Sequence, residues 1–351
     1  MAPLFIVDDS QGLEATRALL AIAEAVGGTV VWPAGAVARG AARAFAQVGQ
    51  VTCSLGDVRS RADVVAFWGC DVARSHPRLI ERMTPRADQP AQFGERTRTM
   101  YLLIGDVSAE MRQQVEKTGV PTRHLAAAPS ETLLVLQQLR ERVKSGQPGS
   151  GHGLHPAVSA LAEAFLGCRY GCLFYGDALC QEQDSELATE SLARLVSELN
   201  DGRAFHSQYL GDDGDMGAGS LVCTWQTGYA GAISYRRGRI EHDSNHFDAK
   251  RILREDRADC VVLVGDHATC HLSAYSMARI ETLPTIQICG QDSQLKLADA
   301  VTLRVARDGV HTKAMFHRFD GLSLVARPFL DATAPAPAQV LNRILDRLPA
   351  R

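Results

Sequence analysis

The chain contains 351 residues, of which 46% are hydrophobic and 22% charged, and its formal net charge is −3. This length and composition are typical of a globular protein with roughly two to three domains. The sequence has no long basic run, so nucleic acid is not an expected partner, and no apolar stretch reaches the ~18 residues that a membrane-spanning helix needs.

The cysteine pattern and the first residues bear on the cellular compartment. The nine cysteines include no C-x-x-C pair and are expected to be free thiols rather than disulfides. Residues 1–9 lack the positively charged start and the long apolar core of a signal peptide. We therefore expect a cytoplasmic protein that has no membrane partner.

Short apolar runs alternate with amphipathic segments along the whole chain. A helix is expected from Ser75, with Pro77 in its first turn, where the missing N–H leaves nothing unpaired. Strands are predicted at 4–7, 29–32, 64–68, 100–104, 120–127, 172–175, 205–210, 260–264, 285–288, 300–305 and 322–326. This alternation predicts an α/β fold with two doubly wound lobes, each built on a mostly parallel sheet.

A linker is predicted near the middle of the chain. Residues 145–151 read Ser-Gly-Gln-Pro-Gly-Ser-Gly, a composition typical of flexible connections. The predicted domains are therefore a first α/β lobe at 1–145, the linker at 146–153, a second α/β lobe with a β-rich tail at 154–330, and a C-terminal helix at 331–351.

The stretch 61–78 combines a buried strand with a polar loop. Its strand, 64–68, has no polar alternation, as expected for a central strand that is covered on both faces. Gly69 ends the strand and allows a turn. In open α/β sheets, ligands bind outside the carboxyl ends of the strands. The expected ligand edge contains Cys70, Asp71 and His76.

A similar pattern returns in the second half of the chain. Residues 257–265 share the Arg-Ala-Asp start and the glycine end of 61–69 at the same spacing. Duplication of one ancestral unit and a generic charged entry to a buried strand explain this similarity equally well. Under either explanation, a second strand–loop edge is expected at Asp266 and His267.

Three other patterns favour structural roles over chemistry. The glycine-rich segment 211–219 lacks a nucleotide-binding motif and carries three aspartates, so a solvated loop is expected. His267 and His271 have the i, i+4 spacing of metal ligands but follow a strand exit, so an incidental role is favoured. Cys168, Cys172 and Cys180 could form a zinc site with His152 or His155, but their spacing is irregular. Buried structural thiols are therefore predicted.

Two segments resemble one known family. Residues 67–78, Phe-Trp-Gly-Cys-Asp-Val-Ala-Arg-Ser-His-Pro-Arg, closely resemble the F-W-G-C-N-x-x-x-x-H-P-R segment of the B subunit of formylmethanofuran dehydrogenase. Residues 223–229 resemble its W-Q-T-G-Y segment, and 53–57 and 309–320 add weaker matches. The matches run in order over most of the chain. The resemblance implies lobes similar to the central domains of molybdopterin oxidoreductases.

The resemblance also bears on cofactors. In the active family, the B subunit holds a tungsten or molybdenum bis-pterin centre and a [4Fe–4S] cluster, and it reduces carbon dioxide to formate. A cluster needs several closely spaced cysteine thiolates, whereas residues 1–52 contain no cysteine. Residues 311–315, His-Thr-Lys-Ala-Met, also depart from the family's tail. The resemblance therefore implies that the bis-pterin metal centre and the cluster are lost.

A shortened subunit of this kind resembles the B subunit of the formyltransferase/hydrolase complex of methylotrophic bacteria. That resemblance implies a non-catalytic structural subunit in one-carbon metabolism. The complex converts formyl-tetrahydromethanopterin to formate through a formyl-methanofuran analogue. The implied partners are an amidohydrolase-like formyl hydrolase subunit, a formyltransferase subunit and a further subunit. The alternative is an active tungsten or molybdenum bis-pterin formylmethanofuran dehydrogenase subunit, with Cys70 or another thiolate as the metal ligand.

The interpretation as a non-catalytic structural subunit assigns no catalytic residue and no metal ligand. It predicts that the retained family segments and the second strand–loop edge form a vestigial cofactor cleft or a partner interface. The residues assigned to it are Gly69, Cys70, Asp71, His76, Arg78, Trp225, Gln226, Gly228 and Asp266.

Overall fold

The computed structural model describes residues 2–84, 98–146, 153–211, 218–294 and 297–349. The chain divides into two compact units. Unit 1 comprises Met1–Ala34, Met216–Arg318 and Leu322–Arg351, and unit 2 comprises Gly35–Asp215 and Phe319–Gly321.

The described residues form strands and helices in alternation. The strands are β1 (Ala2–Val7), β2 (Thr29–Val31), β3 (Val64–Trp68), β4 (Met100–Ile104), β5 (Thr122–Leu125), β6 (Tyr170–Tyr175), β7 (Ala204–Tyr209), β8 (Ile233–Ser234), β9 (Glu241–His242), β10 (Ala258–Val264), β11 (Thr285–Gly290), β12 (Ala300–Val305), β13 (Ala314–His317) and β14 (Ser323–Ala326). The α-helices are α1 (Leu13–Val26), α2 (Ala36–Val48), α3 (Leu55–Arg61), α4 (Val72–Ser75), α5 (Leu79–Met83), α6 (Ala109–Glu116), α7 (Thr132–Ser145), α8 (Pro156–Gly167), α9 (Ser185–Leu199), α10 (Ala218–Thr227), α11 (Ala249–Arg254), α12 (Ala274–Glu281) and α13 (Pro337–Leu345).

Unit 2 is built on a five-stranded sheet in the order β5-β4-β3-β6-β7. All of its strand pairs are parallel, and every residue of the central strand β3 is buried. Phe67 of β3 stacks between Tyr101 and Phe174 of the neighbouring strands, with ring centroids 6.3 and 5.3 Å away. The uninterrupted apolar run therefore forms the centre of this sheet, as predicted.

Unit 1 contains a seven-stranded sheet in the order β12-β11-β10-β1-β2-β8-β9. The strands from β12 to β2 pair in parallel, and the short strands β8 and β9 extend the sheet antiparallel. Strands β13 and β14 form a separate antiparallel pair. The predicted α/β fold with mostly parallel sheets is confirmed in both units.

The predicted domain boundaries are wrong. Strand β3 precedes the expected linker and β6 follows it, yet Val64 pairs with both Met100 and Gly171 in the same sheet. In unit 1, β1 pairs with β10 from the second half of the chain. The Gly- and Pro-rich composition indicates a connection without revealing which strands pair across it. Residues 147–152 of the expected linker lie outside the described residues.

Helix α1 shows how local sequence defines an element of unit 1. Its buried positions include Ala15, Leu19 and Ala23, which follow the four-residue spacing of one helix face. The helix ends at Gly27, whose φ of 69° is in the left-handed region that favours glycine. The N–H groups of Gly27 and Gly28 then donate to the carbonyls of residues 24 and 23, which completes a Schellman cap.

The prediction that a helix begins at Ser75 is wrong. Helix α4 ends at Ser75 and α5 begins only at Leu79. Proline disfavours helical backbone at the preceding residue, and His76 accordingly has φ −136° and ψ 64°.

The predicted loop 211–219 lies largely outside the described residues, and its last residue, Gly219, belongs to α10. Among the helices that the structure describes, none is long and apolar enough to cross a membrane.

Candidate functional site

The carboxyl end of β3 in unit 2 is closed by the loop that follows β6. Gly69 has φ 60°, and its carbonyl accepts a hydrogen bond from Ala178 N at 3.0 Å. A Cβ at Gly69 would lie 2.5 Å from the carbonyl oxygen of Ala178 and would also overlap the backbone nitrogen of Leu179. Gly69 is therefore required both by its backbone conformation and by this close approach.

The thiol of Cys70 lies in the core of unit 2. Cys70 is 4% exposed, and its Sγ lies 3.7 Å from the carbonyl oxygen of Phe174. A Cβ at Gly176 would be 2.6 Å from the Cβ of Cys70, so backbone occupies the space beside this side chain. Cys70 is therefore packed within the core of unit 2, and its assignment to a vestigial cofactor cleft or a partner interface stays a prediction.

Asp71 connects the β3 exit to the next helix of unit 2. Its Oδ2 accepts a hydrogen bond from Ser108 N at 3.0 Å, and Ser108 in turn caps α6 by accepting from Met111 N at 3.1 Å. The other oxygen, Oδ1, is buried without a hydrogen-bond partner among the described residues. Asp71 therefore positions the start of α6, and its Oδ1 is an acceptor without a hydrogen-bond partner among the described residues.

His76 and Arg78 extend the same segment toward the surface. The ring of His76 packs edge-on against Phe319, with centroids 5.2 Å apart, and its Nδ1 lies 3.0 Å from Ser75 Oγ. Arg78 is exposed and pairs with Glu81 at 2.9 Å. These contacts orient both side chains.

The second family segment forms the end of α10 in unit 1. Trp225 is 61% exposed, and its ring stands edge-on to His317 with centroids 4.6 Å apart. Gln226 beside it is also exposed. Gly228 ends the helix with φ 85°, and the space around it is open for at least 4 Å.

A second aromatic side chain follows directly. Tyr229 stacks on His242 with ring centroids 4.6 Å apart and an interplanar angle of 13°. Nδ1 of His242 lies 2.8 Å from the carbonyl oxygen of Gly231, which holds the imidazole in this orientation. We call Trp225 and Tyr229 the exposed aromatic pair. Exposed aromatic side chains are characteristic of protein interaction surfaces.

Asp266 lies at the carboxyl end of β10 and is fully engaged within unit 1. Its Oδ1 accepts from Gly290 N at 3.0 Å, and its Oδ2 pairs with Arg307 Nη2 at 2.7 Å. Arg307 also pairs with Asp292 at 2.8 Å. This network ties together the ends of β10, β11 and β12. Sequence reasoning missed Arg307 and Asp292, because only the strand order brings them to Asp266.

The candidate metal ligands do not converge. Within the described ranges, no group of three or more His, Cys, Asp or Glu side chains is arranged to hold a metal ion. His267 and His271 lie in turns that precede α12 rather than on one helix face.

The thiols Cys168, Cys172 and Cys180 are buried, as predicted. Burial raises the pKa of Cys168 to about 12 and of Cys180 to about 11, so both remain protonated near neutral pH. His155 caps α8 by accepting from Ala157 N at 3.2 Å. These side chains therefore have structural roles, while His152 lies outside the described residues.

Comparison with characterised proteins identifies two groups of relatives, although no family model matches the chain. The B subunit of the tungsten-containing formylmethanofuran dehydrogenase 2 is 22% identical over 291 residues in Methanocaldococcus jannaschii and 21% over 294 in Methanococcus maripaludis. Each alignment covers 82% of this chain but only 66% of the relative. The chain thus spans slightly less than two thirds of the length of these dehydrogenase subunits.

The second group is similar over nearly the whole chain. The B subunit of the formyltransferase/hydrolase complex Fhc of Methylorubrum extorquens is 25% identical over 350 residues, which cover 97% of this chain and 89% of the relative. A chain in the crystal structure of that complex with methylofuran matches with a TM-score of 0.76 and 25% identity, over 99% of this chain and 91% of its own length.

Proposed function

Because the chain is a homologue of the B subunits of formylmethanofuran dehydrogenase and of the Fhc complex, we propose that it is a non-catalytic structural subunit of a formyltransferase/hydrolase complex. The similarity to the B subunit of Fhc carries this proposal, since it extends over 97% of the chain and 89% of the relative. In the proposed complex, a formyl group passes from formyl-tetrahydromethanopterin to a methanofuran analogue and is released as formate.

The geometry of the retained family residues supports a structural role. Cys70 is packed in the core of unit 2, and Asp266 is held by Gly290 and Arg307 within unit 1. These contacts support a structural role for both residues. The chemistry would lie with partner subunits, namely an amidohydrolase-like formyl hydrolase subunit and a formyltransferase subunit, with a further subunit completing the assembly.

The exposed aromatic pair is the surface we assign to partner contact. Trp225 and Tyr229 combine large apolar area with a polar tip, which is the character of residues that dominate binding at protein interfaces. Their orientations are held by His317 and His242, so little side-chain freedom would be lost on association.

Co-expression of the chain with candidate partner subunits tests the proposal. We expect the chain to co-purify with them in a fixed ratio and the complex to release formate from formyl-tetrahydromethanopterin. A chain that stays monomeric beside folded partners would contradict the proposal.

Elemental and pterin analysis of the same preparation, purified without oxygen, separates the structural role from the alternative. An active dehydrogenase subunit would contain tungsten or molybdenum and extractable pterin near one equivalent per chain. We expect formate release without such an equivalent. Metal and pterin in stoichiometric amounts would establish the redox alternative, which the similarity to the tungsten-containing relatives motivates.

A further inference from the structure

A cavity of about 190 Å³ lies in unit 1 at the amino ends of β1 and β2. Its walls come from the first residues of those strands, the β8–β9 segment and the residue before β10. This is the opposite end of the sheet from Asp266, and none of the lining residues belongs to the segments that the family resemblance singles out.

The charges around the cavity are predominantly positive. Arg236, Arg237 and Arg257 line it together with one carboxylate, that of Glu241. Glu241 is already paired with Arg237 at 3.3 Å and with Arg239 at 3.0 Å. The guanidinium of Arg236 has no hydrogen-bond or ion-pair partner among the described residues. The lining therefore contains at least one uncompensated positive charge.

Arg257 is held in place at the cavity wall. Its Nη2 donates to the carbonyl oxygen of His246, and its Nη1 lies 3.2 Å from Nε2 of the same imidazole. An ion pair with Glu255 at 2.8 Å fixes the remaining side of the guanidinium. The guanidinium is thereby ordered, so a ligand that accepts from its remaining N–H groups would not have to fix a long side chain, while Glu255 balances its charge.

Ser234 adds a buried hydroxyl to the lining. Ser234 is 2% exposed, and its Oγ accepts from Thr29 Oγ1 at 3.1 Å and from Arg236 N at 3.4 Å. Because these two donors occupy its lone pairs, the Ser234 hydroxyl proton is left to donate. The cavity thus combines hydrogen-bond donors with positive charge.

We propose that this cavity binds the phosphate group of a small phosphorylated ligand. The donors come from separate chain segments, and the three or four oxygens of a phosphate can accept from several of them at once, whereas a carboxylate has two oxygens. The site would give the chain a binding function of its own, and this inference does not depend on the proposed place in a formyltransferase/hydrolase complex.

Isothermal titration calorimetry of the full chain tests this site. Inorganic phosphate and glycerol phosphate are titrated at an ionic strength held constant with chloride, because salt screens exposed charges. We expect saturable binding near one equivalent per chain. Tighter binding of glycerol phosphate would identify a phosphoester as the ligand, and equal binding would identify the phosphate ion. The absence of saturable binding of either compound would overturn the proposal.

Matched variants assign the binding to the cavity. Arg236→Gln removes the unpaired guanidinium from an exposed position and should weaken phosphate binding by about tenfold or more, while Arg236→Lys should restore part of the affinity. Arg343→Gln removes the same charge from the exposed face of α13 and should leave the affinity unchanged. Unchanged binding in Arg236→Gln, or equal loss in both glutamine variants, would overturn the proposal.

Discussion

Gly69 at the end of β3 lies directly against the peptide bond between Ala178 and Leu179. Its carbonyl accepts from Ala178 N at 3.0 Å, so the chain after β6 is hydrogen-bonded across the exit of the central strand. The glycine of the Phe-Trp-Gly-Cys segment permits this contact.

Gly69→Ala should therefore destabilise unit 2 strongly. A left-handed alanine costs about 1–2 kcal/mol, and overlap with backbone at Ala178 and Leu179 adds about 1–3 kcal/mol. Chemical denaturation followed by fluorescence measures the loss. Gly228→Ala is the matched control, because Gly228 also has a positive φ but nothing lies within 4 Å of its position. Equal losses in the two variants would show that the contact with the loop contributes nothing.

Cys70→Ala separates the structural role from the redox alternative. Loss of a small buried side chain should lower the free energy of unfolding by about 1 kcal/mol. On the proposed function, formate release by the assembled complex stays within about twofold of the wild type, since the thiol lies in the core. On the redox alternative, Cys70 is a metal ligand, and its substitution would abolish the activity. Cys260→Ala, at a half-buried position on β10, controls for removal of a thiol.

Trp225→Ala should weaken assembly without unfolding the chain. Trp225 is largely exposed, so its removal takes little buried area from unit 1, whereas exposed aromatic anchors of an interface typically contribute about 2 kcal/mol or more, roughly thirtyfold in affinity. Titration of the chain with purified partner subunits measures the change. Tyr275→Ala is the control, because Tyr275 on α12 has a similar exposure of 60%. Equal effects of the two substitutions would remove the assignment of the aromatic pair to the interface.

The local elements could be predicted from the sequence because their signals are local. The apolar run 64–68 and the glycine after it are sufficient to predict a central strand and a turn. The pairing of strands that are distant in the sequence cannot be predicted from such local signals. Phe5 pairs with Val262, and nothing near either residue indicates the other. The Gly- and Pro-rich segment misleads as a domain boundary for the same reason, since its composition predicts a loop but not the sheet that continues across it.

The candidate site was predictable only in part. The position of Cys70 after a strand exit predicts a ligand edge, but the orientation of its side chain depends on Gly176 and the loop beyond it. Likewise, Asp266 is engaged by Arg307 because β10, β11 and β12 are neighbours in the sheet. Residues 67–78 and 223–229 could be recognised as family segments, whereas the arginine-lined cavity at the other end of the sheet has no motif that spacing could reveal.

His206 should make the stability of unit 2 sensitive to mild acid. Its ring stacks on Tyr170 with centroids 4.5 Å apart. Desolvation lowers the pKa of His206 below its usual value, against the opposing effect of the hydrogen bond to the Gly171 carbonyl. Between the unfolded pKa of about 6.5 and the lower folded pKa, the unfolded chain binds a proton that the folded chain does not. The contribution of His206 to the free energy of unfolding therefore falls as the pH falls below about 6.5.

Denaturation midpoints measured between about pH 7.5 and 5.5 check this dependence, with 6.5 as the reference pKa of the unfolded histidine. His206→Phe retains an aromatic ring against Tyr170 but cannot be protonated, so its stability should decline less on acidification than that of the wild type. Burial also lowers the pKa of His317 in unit 1, and the variant therefore keeps part of the dependence. Parallel pH profiles of the wild type and His206→Phe would contradict the assignment to His206, whereas a difference confined to the acidic side of about pH 6.5 is the expected result.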